Sequence, residues 1–230
     1  MRLSIIVPVY NEKNTILELL RKVSAVPLDK EIIVVDDGST DGTREMLEEL
    51  RNADCGVRNE LRIVLQDKNR GKGAAIRRGL EEVAGEVVVI QDADLEYEPL
   101  DFVSLIRPIE KGRADVVYGS RILGRGPKSS WLFYLGGRTL SWVANLLYGI
   151  HITDEPTCYK MFRSGVIKSL NLNCDGFEFC PEVTAKVSRR GFRITELPIH
   201  YYPRNMAEGK KIRLKDWFVA VWTLIRLRFY

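Results

Sequence analysis

The sequence predicts an α/β fold, a mostly parallel central sheet with helices on both faces. Candidate strands such as Leu3-Ser4-Ile5-Ile6-Val7-Pro8-Val9 and Glu31-Ile32-Ile33-Val34-Val35 are near-continuous apolar runs, the pattern of strands buried on both sides. They alternate with segments of helical periodicity about 10 to 15 residues long, the rhythm of strand-helix-strand units. The clusters Tyr10-Asn11-Glu12, Asp36-Asp37, Asp92-Ala93-Asp94 and Gly119-Ser120-Arg121 each follow a strand directly. Ligands of such sheets bind at the carboxyl ends of the strands, so these clusters are expected to meet on one rim.

Asn14 is placed to cap a helix whose apolar residues Ile16, Leu19, Leu20 and Val23 share a face. The second strand ends at Asp36-Asp37-Gly38-Ser39, and Ser39 or Thr40 starts a helix through Leu50. Leu61 to Gln66 reads as the third strand. Gly71-Lys72-Gly73 opens a helix to about Ala84, Glu86 to Ile90 is the fourth strand, and Asp115 to Tyr118 the fifth. After about residue 125 the rhythm changes. Trp131 to Ile150 reads as a long helix or helical pair, and Pro181 to Arg190 as a helix stopped by Gly191. A strand follows at Arg193 to Tyr201, and Ile212 to Phe229 forms a last amphipathic helix.

Composition narrows the class. With 230 residues, 45% hydrophobic and 29% charged, the chain is long enough for one well-packed domain and too apolar for disorder. A net charge of +4, without a basic block interleaved with aromatics, argues against nucleic acid as a partner. Cys55, Cys158, Cys174 and Cys180 lack metal-ligand spacing, which makes a reducing cytosol the expected setting. No signal-peptide pattern precedes Leu3, and no uninterrupted apolar run reaches the roughly 18 residues of a spanning helix.

Asp92-Ala93-Asp94 carries the clearest chemistry. Two carboxylates two residues apart at a strand end can face one divalent ion that bridges a diphosphate, and Glu96 continues the alternation as a third oxygen ligand. Solvated turn acids would give the same letters. Asp36 and Asp37 suit hydrogen bonding to a base or ribose, or capping of the next helix. Lys72, between two glycines at a helix start, marks an anion site, but no full phosphate-loop motif surrounds it.

Taken together, Ile5-Ile6-Val7-Pro8-Val9-Tyr10-Asn11-Glu12, Val34-Val35-Asp36-Asp37-Gly38-Ser39-Thr40-Asp41-Gly42-Thr43, Asn69-Arg70-Gly71-Lys72-Gly73, Asp92-Ala93-Asp94 and Gly119-Ser120-Arg121 resemble the family-two glycosyltransferases of GT-A-type fold. The resemblance is to the dolichol-phosphate-mannose-synthase-like branch. It implies a donor pocket of Pro8, Val9, Tyr10, Asn11, Glu12, Asp36, Asp37, Lys72, Asp92, Ala93 and Asp94, with Arg204 and Lys210 closing over the diphosphate. It further implies Mg2+ or Mn2+ held by Asp92, Asp94 and Glu96, and inversion at the anomeric carbon. Residues 1–125 would form the nucleotide-sugar half of one catalytic domain and residues 126–230 the acceptor and membrane-facing half.

The acceptor divides two readings. A sugar hydroxyl needs a general base, for which Asp154 in Thr153-Asp154-Glu155-Pro156 is the candidate. A polyprenyl phosphate is already ionised and needs positioning, which Arg121 and Arg138 would supply. Glu178 and Glu182 are further carboxylates in a first helical turn. Trp131, Phe133, Tyr134, Trp142 and Tyr148 suit an interfacial helix, and the last helix offers Leu214, Trp217, Phe218, Val221, Leu224 and Ile225 with basic neighbours. Core packing would also account for both. A peripheral enzyme at the cytoplasmic membrane face is expected; a soluble-acceptor enzyme and a non-catalytic nucleotide-sugar-binding subunit are the alternatives.

Overall fold

The computed structural model describes residues 1–52, 61–124, 126, 130–204 and 214–230. Among the described residues seven strands form one sheet: β1 (Leu3–Val9), β2 (Lys30–Asp36), β3 (Leu61–Leu65), β4 (Val87–Ile90), β5 (Val116–Ser120), β6 (Lys160–Arg163) and β7 (Ile194–Pro198), in the order β3-β2-β1-β4-β6-β5-β7. Every neighbouring pair is parallel except the two that β6 makes, with β4 and with β5. The apolar runs of β1, β2 and β4 are buried along nearly their whole length.

The helices are α1 (Ile16–Ser24), α2 (Thr43–Asn52), α3 (Lys72–Glu81), α4 (Phe102–Leu105), α5 (Arg107–Glu110), α6 (Trp131–Tyr148), α7 (Ser164–Ser169), α8 (Phe179–Arg189) and α9 (Leu214–Phe229). Several bounds differ from those read in the sequence. Thr15, not Asn14, precedes α1, with its Oγ1 donating to Glu12. α2 starts at Thr43, where Asp41 Oδ1 accepts the Thr43 N–H at 3.0 Å. Trp131 onward forms one helix, and β7 ends at Pro198, beyond which Tyr201 makes an isolated bridge to Tyr97.

Two glycines bring α3 against its surroundings. A β-carbon at Gly79 would lie 2.7 Å from Ile6 Cγ2, so α3 rests directly on β1. A β-carbon at Gly73 would collide with the Cys174 carbonyl, so the segment before α8 closes over the start of α3. In α9 the apolar residues divide between faces. Ala220 and Leu224 are buried, whereas Leu214, Phe218 and Trp222 are exposed. No helix among the described residues is long and apolar enough to cross a membrane.

Candidate active site

Strand direction assembles the site. β1, β2, β4 and β5 all end on one rim, delivering Tyr10–Glu12, Asp37, Asp92–Glu96 and Arg121. Because β6 runs the other way, the segment entering it, Asp154–Tyr159, reaches the same rim. There a cleft of about 1010 Å³ is lined at its polar end by Pro8, Val9, Tyr10, Glu12, Asp37 and Lys72, with Asp92, Ala93, Asp94, Glu96 and Arg204. It continues past Arg121, Asp154 and Glu155 into an apolar arm between α6 and α9 that includes Leu132, Leu135, Trp217 and Phe218.

The two neighbouring aspartates of β2 separate. Asp36 is fully buried, accepts the Ser39 N–H at 3.2 Å and lies 3.3 Å from Arg44 Nε, so it braces the turn and does not line the cleft. Asp37 lines it, with Oδ1 accepting from Arg70 N and Oδ2 from Gly71 N, each at 2.8 Å. Burial pushes its carboxyl above the ordinary range despite these bonds. Asn11, at φ 52°, uses its side chain to accept the Thr40 N–H at 2.8 Å, tying the first rim loop to the second.

The carboxylates after β4 face cations. Lys72 Nζ, at the start of α3, sits 2.5 Å from Asp92 Oδ1 and 3.8 Å from Cys158 Sγ. Burial is the largest influence and opposes the lysine's charge, but Asp92, Cys158 and Cys180 together outweigh it and hold the ammonium well above its ordinary pKa. Arg204 Nη2 lies 3.0 Å from Asp94 Oδ2, with Glu12 and Glu96 on its other sides. Burial, then the charges of Asp92 and Glu96, push Asp94 up to about 7. Both oxygens of Glu96 are engaged, one by Arg204 N at 2.8 Å and the other by Tyr201 OH at 2.9 Å. Among the described residues no three His, Cys, Asp or Glu side chains converge as a metal cage. The donor set is nonetheless hard oxygen, crowded enough to raise Asp94, which is the chemistry a divalent ion satisfies.

At the junction of the two arms, Arg121 holds Asp154 through Nε at 2.8 Å and Nη2 at 2.7 Å. Burial raises the Asp154 carboxyl, but Arg121 outweighs it and the net shift is downward. Sequence reasoning missed Glu196, whose Oε2 and Oε1 accept the N–H groups of Thr153 at 2.7 Å and Asp154 at 3.1 Å. Its only signal was a carboxylate inside a strand. Arg138 lies outside the cleft lining, exposed, with Nη1 donating to Thr153 O at 3.1 Å. Glu178 accepts from Gly176 N at 3.1 Å, and Glu182 is buried among the Asn173, Cys174 and Lys186 donors, away from the cleft. Lys210 lies outside the described residues.

Residues 4–170 match the family model described as glycosyl transferase family 2. The chain belongs to glycosyl transferase family 2. Within that family it is 30% identical over 219 residues to the dolichol-phosphate mannosyltransferase of Pyrococcus furiosus, covering 91% of this chain and 59% of that protein. It is 31% identical over 221 residues to the dodecaprenyl-phosphate galacturonate synthase of Rhizobium johnstonii, of which it spans 62%, and 30% identical to the undecaprenyl-phosphate mannosyltransferase of Micrococcus luteus, of which it spans 87%. Thus the chain spans about three fifths of the first two relatives. The glucosyl-3-phosphoglycerate synthase of Mycobacterium tuberculosis, crystallised with Mn2+, UDP and phosphoglyceric acid, superposes with a TM-score of 0.71. That match covers 99% of this chain and 78% of the other at 21% identity, a likeness of fold.

Proposed function

We propose that this family-two glycosyltransferase moves a hexose from a nucleotide diphosphate sugar, GDP-mannose or UDP-glucose, to a polyprenyl phosphate, inverting the anomeric carbon. The reaction would take place at the cytoplasmic face of a membrane, with α6 and α9 in peripheral contact. The observation that carries the reading is the continuity of one cleft, from the carboxylates after β4 past Arg121 into an apolar arm between two helices. Such a shape suits an acceptor with a phosphate head and a hydrocarbon tail. The three relatives named above, at 30–31% identity, bear names of polyprenyl-phosphate chemistry.

In this reading Asp37 and Tyr10 line the base and ribose end, while Lys72 and Arg204 meet the diphosphate. Asp92 and Asp94 would hold Mg2+ or Mn2+, which when bound supplies charge neutralisation to the leaving diphosphate. Arg121 presents its charge to the acceptor phosphate. Asp154, gripped by Arg121 on both oxygens, is better suited to orienting that guanidinium than to taking a proton, and an ionised phosphate acceptor asks for no base.

The test is incubation of the purified chain with radiolabelled donor, polyprenyl phosphate and Mn2+, followed by solvent extraction. Label entering the organic phase only when the lipid phosphate is present supports the proposal. Turnover of either donor with label confined to water-soluble glycan would instead favour a soluble acceptor. No turnover of any donor would remove the enzymatic reading.

A further inference from the structure

Arg204 sits where a divalent ion would be expected, and it sits there loosely. Its guanidinium makes one contact at 3.0 Å, to Asp94 Oδ2, while Glu12 Oε2 and Glu96 Oε1 stand at 3.5 and 3.9 Å. Its Nε is buried with no hydrogen-bond partner. Arg121, by contrast, makes three hydrogen bonds to Asp154, none longer than 2.8 Å. The main chain of Arg204 is fixed, since its N–H donates to Glu96 Oε1 at 2.8 Å. A fixed backbone with a partly satisfied, cleft-lining guanidinium describes a side chain with somewhere else to go.

We propose that Arg204 is a resident counter-cation at Asp94, beside Lys72 at Asp92. Its single positive charge offsets the crowding of Asp94, Glu96 and Glu12 until a divalent ion displaces it from Asp94, and it then turns to the donor diphosphate. The second half of this proposal rests on the nucleotide diphosphate assignment made above; the first half does not. Guanidinium and metal draw on the same carboxylate and repel each other as like charges, so each weakens the other's hold on Asp94. A diphosphate offers the displaced fork a bidentate partner, so nucleotide stabilises the displaced state. Metal and nucleotide therefore assist each other's binding, and the assistance is reciprocal.

The experiment is a titration of the whole chain with Mn2+, followed by electron paramagnetic resonance of the free ion, with and without GDP or UDP. Arg204→Gln is expected to bind Mn2+ without nucleotide roughly tenfold tighter than the parent, because a positive charge leaves the site. Nucleotide is expected to improve Mn2+ affinity in both proteins, through direct metal–diphosphate contact, and by a larger factor in the parent, where it also holds Arg204 away. Equal or weaker nucleotide-free Mn2+ binding in a folded Arg204→Gln variant overturns the proposal. If that variant does not fold by circular dichroism, Mg2+ titration of the parent decides, through the Arg204 Nε–H resonance. A shift on adding Mg2+ alone supports displacement, and an unmoved resonance at saturation overturns it. Should Arg204→Gln tighten Mn2+ binding while neither nucleotide has any effect, the counter-cation role stands and the nucleotide reading fails.

Discussion

Arg121 and Asp154 meet edge to edge, with Nε and Nη2 of the guanidinium on the two carboxylate oxygens at 2.8 and 2.7 Å, and the Arg121 N–H adding a third bond at 2.8 Å. Asp154 is 2% exposed, so the pair lies in a poorly solvated place. Removing one partner strands the other's charge, at a cost of about 3 kcal/mol. Asp154→Asn and Arg121→Met are each expected to lower urea-melt stability on that order, with the double variant losing far less than the sum. If Asp154 were an independent base, kinetic losses of the two variants would instead add.

Lys72 and Asp92 form a second close pair, at 2.5 Å. Lys72→Met leaves Asp92 without its cation, and nucleotide affinity is expected to fall about tenfold or more through loss of the diphosphate partner. Calorimetric titration with GDP and UDP measures it; unchanged affinity for both would remove Lys72 from the donor site.

Gly73→Ala would drive a β-carbon into the Cys174 carbonyl, which is main chain and cannot swing aside. A loss of about 1–3 kcal/mol is expected in chemical denaturation. Gly165→Ala, where nothing lies within 4 Å, serves as the mild control.

Glu182 supplies a pH dependence. Burial pushes its carboxyl up, but Lys186 and the N–H groups of Cys174 and Asn173 outweigh burial and hold it below its ordinary pKa. A depressed folded-state pKa contributes stability that is present above the unfolded pKa and is lost as pH falls through the folded value. Thermal melts from about pH 6 to pH 3 are expected to fall less steeply for Glu182→Gln than for the parent. Parallel acid limbs would assign acid sensitivity elsewhere.

Trp142 and Leu146, on α6, are 65% and 68% exposed and lie outside the cleft lining. Replacing both by Ser is expected to change stability by no more than about 0.5 kcal/mol while weakening sedimentation with anionic vesicles. Undiminished vesicle binding would take α6 out of the proposed membrane contact.

Much of the frame was readable in the letters because its signal is apolar periodicity. Residues 3–9, 32–35 and 87–90 cannot be satisfied except as covered strands. β6 escaped for the converse reason: Lys-Met-Phe-Arg has little apolar run. Lys160 is buried with its Nζ donating to the carbonyls of Glu155 and Thr157, at 2.5 and 2.7 Å, and lying 4.6 Å from the Tyr118 ring centroid. Within the site, the gathering of Asp37, Asp92 and Arg121 followed from strand ends. Which of Asp36 and Asp37 turns to the cleft, and which cation each carboxylate takes, are matters of side-chain direction. Sequence order does not encode them locally, so Glu196 beneath Asp154 went unseen.

The single reversed strand has a further implication. Since β6 enters the sheet from the functional rim, the stretch between α6 and β6 lies along that rim, where Asp154 is held by Arg121 after β5 and by Glu196 of β7. Under the proposed function, exchanging residues 149–156 alters the side of the cleft that receives the sugar while leaving Cys158, and with it the Lys72 contact, in place, a natural handle for engineering.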